Sequence, residues 1–248
     1  MQFRPRLLGC LLAAALAAAG CGASSGANGG TTRGAGSPAP SGAGQGSPAP
    51  GPAALLRQMR AAVQSATSVH VTGQLVADGR PLALDLGMHS SGQLAGTITT
   101  QGVPLTIIDT GGKGYVKATP AFLALLRQSP AVCKLICGKY VLTTGAKEEQ
   151  LTSSLGMRSL LGALTRRQSP AITSAGTTTV NGAAARVLRG ADGSTLAVAA
   201  RGAPYPLRVT AAPARGREGS LEFSQWNSVP LPAAPPAAKV IDLRQLER

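Results

Sequence analysis

The stretch SVHVTGQLVADGRPLALDLGMHSSGQLAGTITTQG constrains the fold more than any other part of the chain. Val69, Val71 and Leu75 fall on one side of a two-residue repeat, and after Asp78-Gly79 so do Leu82, Leu84, Leu86 and Met88, followed by Leu94 and Ile98. Side chains alternate between the two faces of a strand, so the pattern predicts antiparallel strands with one apolar and one wet face, joined by tight turns. The meander continues through VPLTIIDTGGKGYVKAT, turning at Gly111-Gly112. From Thr177 the same signals return in AAARVLRG, STLAVAAR, YPLRVTAA and SLEFSQW, with turns at Asn181-Gly182 and Asp192-Gly193.

Helical spacing is confined to three places. Leu55, Leu56, Met59, Val63 and Ala66 recur at helical intervals, with Arg57, Gln58 and Arg60 off that face. Thr119-Pro120 reads as an N-cap followed by a first-turn proline, opening a helix over Ala121 to Arg127. Between Lys147 and Arg167, Leu151, Leu155, Leu160, Leu161 and Leu164 predict one or two helices broken near Gly156. Nine to ten strands and three helices make an α+β domain: one long antiparallel sheet that twists and curls, with the helices gathered on one face.

The chain ahead of this domain has a different character. Arg4 and Arg6 precede an apolar run, Leu7 to Ala19, that is too short to span a bilayer and has the length of a secretory signal. Small residues then lead into Cys21, and the run resembles the lipobox of bacterial lipoproteins, whose cysteine is acylated and becomes the mature N-terminus. The alternative is an ordinary signal cleaved elsewhere, because Ala18 stands where that motif usually has leucine. Gly22 to Pro52 is almost entirely Gly, Ala, Ser and Pro, a composition that cannot bury a core. The expected organisation is a signal peptide over 1–20, an acylated N-terminus and tether over 21–52, and one domain over 53–248.

The formal charge of +14 includes the two signal arginines, which leaves 14 − 2 = +12 after cleavage. A surface this basic suits nucleic acid, an anionic membrane or polyanionic wall polymers. Export and an aromatic content of 3% count against nucleic acid, because there is little material for base stacking. Cys10 leaves with the signal and Cys21 is spoken for, so Cys133 and Cys137 remain as an even pair, expected to be oxidised outside the cytoplasm and to brace a local turn. A metal site is not expected, since only His70 and His89 would complete it. Nor is a cofactor.

No catalytic constellation is legible. Gly22-Ala23-Ser24-Ser25-Gly26 matches a nucleophile-elbow pattern but lies in the tether, away from any strand-to-helix turn. His70 and His89 alternate away from their apolar neighbours and are expected on the solvent face. Asp78, Asp109 and Asp192 stand at turns, and Glu148 and Glu149 stand near a helix start. None forms a recognisable acid/base pair, and no enzyme is expected.

SVHVTGQL, DTGGKGYVKATPAF, GKYV, APYPLRV and SLEFSQWNSVPLPAAP together resemble the LppX and LprG type of lipid-carrying lipoproteins of mycobacteria and related bacteria. The resemblance implies a fold like the LolA and LolB carriers: a curled antiparallel half-barrel, helices on its concave face, and an apolar cavity between them for acyl chains. On alternation, Leu84, Leu86, Ile98, Leu196, Val198 and Val209 are the residues expected to face that concave side. The same aliphatic rows would fill a core in any sandwich of this size, and both readings stay open at this stage. The function implied is a lipid or glycolipid carrier, anchored to the extracytoplasmic face of the cytoplasmic membrane and working with a membrane transporter. The alternative is a structural or signalling-accessory lipoprotein that contacts wall polymers or a membrane partner.

Overall fold

The computed structural model describes residues 50–77, 79–145, 155–166, 172–212 and 218–242. Helix α1 spans Pro52–Ser65, with a proline in its first turn and extended Gly51 as N-cap. Proline suits that position because its missing N–H would have had no helical partner. The helix buries Leu55, Leu56, Met59 and Val63, the stripe expected from its spacing. Five strands follow: β1 (Ser68–Ala77), β2 (Arg80–His89), β3 (Leu94–Thr100), β4 (Val103–Asp109) and β5 (Gly114–Lys117). Helix α2 (Pro120–Leu125) is capped by Thr119, whose Oγ1 accepts from the Phe122 N–H at 3.1 Å. A short α3 (Pro130–Ile136) leads to β6 (Tyr140–Thr143).

Helix α4 (Met157–Arg166) begins just after Gly156, where the break was expected. Leu151 and the remainder of that stretch before residue 155 lie outside the described residues. The second run of strands is β7 (Thr173–Val180), β8 (Ala183–Arg189), β9 (Thr195–Ala199), β10 (Pro206–Ala211) and β11 (Gly219–Ser224). A 3-10 turn at Ala237–Lys239 and a two-residue β12 (Val240–Ile241) close the described chain.

All twelve strands form one open sheet in the order β12-β6-β5-β4-β3-β2-β1-β11-β10-β9-β8-β7. Every pair is antiparallel except β12 with β6, which is parallel. Each half is thus a run of sequence neighbours, and the halves join where β11 lies beside β1. The α+β expectation is met. The described residues hold twelve strands and four α-helices against the nine to ten and three expected. The additions include α3 and β12, which are too short to carry a periodic signal.

The main core gathers α1, α4 and one face of the sheet, from Val116 on β5 to Leu188 on β8. A second cluster packs Ala118, Leu123 and Ile136 with Val132, Cys133, Cys137, Val141 and Ile241. Cys133 and Cys137 are joined in a disulfide that spans the last turn of α3 and its C-cap.

Candidate functional site

Strand register assembles the apolar face row by row. Val71 on β1 lies opposite Leu86 on β2 and Phe223 on β11, while Leu84 lies opposite Ile98, and Ile98 opposite Leu105. On the other side of β11, Leu221 pairs with Val209, Val209 with Leu196, and Leu196 with Leu188. Opposed residues of antiparallel strands share a face, so one aliphatic surface crosses the sheet. Of the six residues picked out by alternation, Leu84, Leu86, Ile98, Leu196 and Val198 are buried and Val209 is partly buried. All six belong to the cluster that also contains Leu56 and Met59 of α1 and Met157 and Leu161 of α4.

Two glycines in this row shape it. Gly73 pairs with Leu84 and Leu221, and Gly96 pairs with Leu86 and Ile107. Their φ angles are +142° and +148°. A β-carbon would meet the Ser220 carbonyl oxygen at 2.1 Å in the first case and the Asp85 carbonyl oxygen at 2.0 Å in the second. Only glycine is at ease with that backbone and that approach of the neighbouring strand.

One end of the row carries aromatic residues that periodicity did not single out. Trp226, the sole tryptophan, stacks on Tyr205 at 4.5 Å between centroids and packs near Phe223 at 6.2 Å. Its indole N–H donates to the Pro206 carbonyl at 3.1 Å, and the Tyr205 hydroxyl accepts from Asn227 Nδ2 at 2.8 Å. Both polar handles are therefore satisfied while the rings stay with the apolar cluster.

The opposite face is polar, and its residues pair across strands. His70 Nε2 donates to Asp85 Oδ1 at 2.7 Å, and Ser224 Oγ lies 3.4 Å from the other ring nitrogen. Sequence reading did not bring these three together, because they come from β1, β2 and β11. A Ser-His-Asp set is the constituent list of a nucleophilic triad, but acyl transfer also needs donors aimed at a developing oxyanion. Here β1 and β11 each lie between two paired strands, so their backbone N–H groups are engaged in the ladder. What the arrangement does is tie three strands together.

A second tie runs from the tip of the β7–β8 hairpin to β11. Glu222 accepts from Asn181 Nδ2 at 2.9 Å and from Arg208 Nε at 2.8 Å. The Asn181 hydrogen bond and then the Arg208 guanidinium hold the Glu222 carboxyl below its ordinary pKa. The Asp192 carboxyl is also lowered, chiefly by the Ser194 hydroxyl and backbone N–H within its own turn.

His89 departs from expectation. It alternates onto the polar face as the sequence implies, yet it is buried rather than solvent-facing. The reason is the segment after β11, which crosses that face as a strap before reaching β12. Ser68 Oγ accepts from the Val229 N–H at 3.2 Å, and His89 Nε2 donates to the Pro230 carbonyl at 3.1 Å. A β-carbon on Gly87 would lie 2.8 Å from Val229 Cγ1, so the strap sits directly on β2. His70 lies beyond it and stays half-exposed. Asp109 ends β4 as a turn residue, accepting from the Gly111 N–H at 2.8 Å. Among the described residues no three or more His, Cys, Asp or Glu side chains cluster as metal ligands. Cys21 lies outside the described residues.

Comparison of the whole architecture with solved structures finds LprF from Mycobacterium bovis, at 18% identity and a TM-score of 0.53, covering 73% of this chain and 96% of that one. The chain has the fold of LprF. The lipoprotein LppX from Mycobacterium tuberculosis aligns at 19% identity and a TM-score of 0.47, over 73% of this chain and 99% of its own. No protein-family model matches the sequence, and no curated protein matches it. The resemblance noted in the sequence thus holds at the level of the fold it shares with LprF, a large open antiparallel sheet carrying its helices on an apolar face.

Proposed function

We propose that this protein is an extracytoplasmic lipoprotein that shields the acyl chains of a lipid or glycolipid between its sheet and its helices. The observation that carries the reading is the aliphatic row itself. It crosses the join between the two halves of the sheet, and α1 and α4 cover it with Leu, Met and Val side chains. Flexible acyl chains are accommodated by walls of this kind, smooth, aliphatic and poor in fixed polar groups. The fold shared with LprF supports the same reading. Gly73 and Gly96 support a curled sheet, since glycine kinks are how sheets turn towards a half-barrel with a concave side. On this reading Leu84, Leu86, Ile98, Leu196, Val198 and Val209 line the concave wall.

The remainder of the proposal concerns the chain ahead of α1. Residues 1–20 act as an export signal, acylation of Cys21 anchors the protein, and residues 22–52 tether the domain from 53 onward. The Gly, Ala, Ser and Pro composition of that stretch suits a linker. A membrane transporter is the natural source or destination of the cargo. No bond is made or broken in this function, and neither metal nor cofactor enters it.

The experiment pairs Leu86→Trp and Ile98→Trp with native mass spectrometry of protein extracted from its own membranes. Wild type is expected to carry lipid, and each variant to carry less while melting near the wild-type temperature after delipidation. Overpacking a filled core instead costs about 1–3 kcal/mol. Strong destabilisation of both variants together with a lipid-free wild type would transfer the case to an accessory lipoprotein.

A further inference from the structure

Large apolar side chains are strongly exposed at two described positions, Leu135 and Leu231, each 67% accessible. Leu231 stands between two prolines in the strap. Leu135 has a more specific setting. It lies in α3 between Cys133 and Cys137, and both cysteines pack inward against Leu123 and Ile136. At 100° per residue, a side chain two positions from each cysteine lies about 200° around the helix, on the side away from the disulfide. The disulfide therefore braces the turn in the orientation that holds Leu135 outward.

The chain on either side of it, and the strand edge it leads to, carry lysines. Lys134 is its exposed chain neighbour, and Lys139 follows on the turn closed by its N–H to the Ile136 carbonyl at 3.1 Å. Pairing of β12 with β6 sets Val240 opposite Tyr140, which brings exposed Lys239 beside Lys139. From Thr110 to Gly145 the sequence contains no Asp or Glu, but it holds Lys113, Lys117, Arg127, Lys134 and Lys139. Asp242 follows directly after β12. The His70–Asp85 and Arg208–Glu222 ion pairs do not involve these lysines.

We infer that this corner is a second membrane contact, separate from the acylated N-terminus: Leu135 enters the headgroup region of an anionic bilayer while Lys134, Lys139 and Lys239 meet its phosphates. A leucine held outward on a short helix, with exposed lysines beside it in the chain and at the β6–β12 edge, fits an interface that is apolar below and negatively charged at its surface. A soluble polyanion would satisfy the lysines but gives the leucine nothing to bury against. The contact does not depend on what the apolar row binds. Its consequence is orientation, because a second point of contact fixes which side of the domain faces the bilayer.

The test uses the full acylated chain carrying Leu135→Trp, reconstituted into vesicles of brominated phosphatidylcholine with or without one-third phosphatidylglycerol. Wild type supplies the Trp226 background. Bromine quenching of the added indole is expected with phosphatidylglycerol, and not with phosphatidylcholine alone or at high salt, where screening removes the attraction. Lys134→Glu and Lys139→Glu are each expected to weaken it about fivefold or more, with melting unchanged. Equal quenching in both vesicle types, or none in either, overturns the inference. Recovery of the chain with the vesicles reports the anchor and quenching reports the corner, so the two readings fail separately.

Discussion

The two faces of β1, β2 and β11 are made by the same three strands and are held by different means. On the apolar face, residues such as Val71, Leu86 and Phe223 are almost completely buried and gain from the water they exclude. Across the polar face, His70 is joined to Asp85 and Ser224, and Glu222 to Arg208 of neighbouring β10, by hydrogen bonds at or near the surface. Burial is strong but indifferent to which aliphatic neighbour supplies it, whereas hydrogen bonds are weak and depend on which residues meet. The comparison teaches that stability resides mainly on one side of this sheet and that register is reinforced on the other.

The sharpest way to break the comparison is at Gly96, where the apolar row depends on backbone and not on side chains. Gly96→Ala is expected to cost about 3 kcal/mol or more, because the new β-carbon meets the Asp85 carbonyl and the φ angle is hostile to any L side chain. Chemical denaturation would measure it; a cost below that of an ordinary surface change would mean that the kink relaxes freely. Next comes Leu221→Ala, which truncates a residue 2% exposed beside the strand join and should cost about 2–5 kcal/mol.

Removing the disulfide tests the small cluster at the sheet edge. Cys133→Ala with Cys137→Ala opens only a short loop and is expected to cost about 2 kcal/mol or less. Amide exchange should quicken in α3 and β6 while the β1–β2 ladder is unaffected; uniform quickening would show that the edge and the centre melt together.

On the polar face the expected effects are smaller. Asp85→Asn should cost under about 1 kcal/mol, as exposed ion pairs do. Glu222→Gln should cost about as little at neutral pH, and its signature is pH dependence. The Glu222 pKa is lowered in the folded protein from an ordinary 4.5. Its stabilisation is therefore present above that value and is lost as pH falls through the lower, folded value. Melting temperature in acid should thus fall less steeply in Glu222→Gln than in wild type, and parallel curves would remove the proposed tie.

Much of this architecture was legible because it is local. Alternation gave β1 to β4 their apolar face, and Thr119-Pro120 marked the start of α2. Turn residues such as Asn181-Gly182 separated β7 from β8. The parts that were not legible depend on distance along the chain. Nothing in SLEFS says that its neighbour is SVHVT, and so nothing brings Ser224 to His70. The burial of His89 has the same origin, since it depends on a strap whose Pro230 lies 141 residues further along. Trp226 and Tyr205 stand at the ends of SLEFSQW and YPLRVTAA, and their stacking is a contact between two segments that alternation within either one does not announce. Of the candidate site, the aliphatic residues could be chosen from the sequence. Their assembly into one continuous row required the register.

The neighbouring of β1 and β11 also bears on how the molecule comes into being. His70 and Ser224 are 154 residues apart, so β1 is made long before the strand that completes its pairing. At about 5–20 residues per second, synthesis leaves that edge open for roughly 10–30 s. The first meander can form its own hairpins in that interval, but its free border is alternating, apolar on one side and rich in Val, which is the kind of border that recruits the wrong strand from another chain. A chain with this strand order is therefore expected to fold best when its copies are kept apart until their last strands are available.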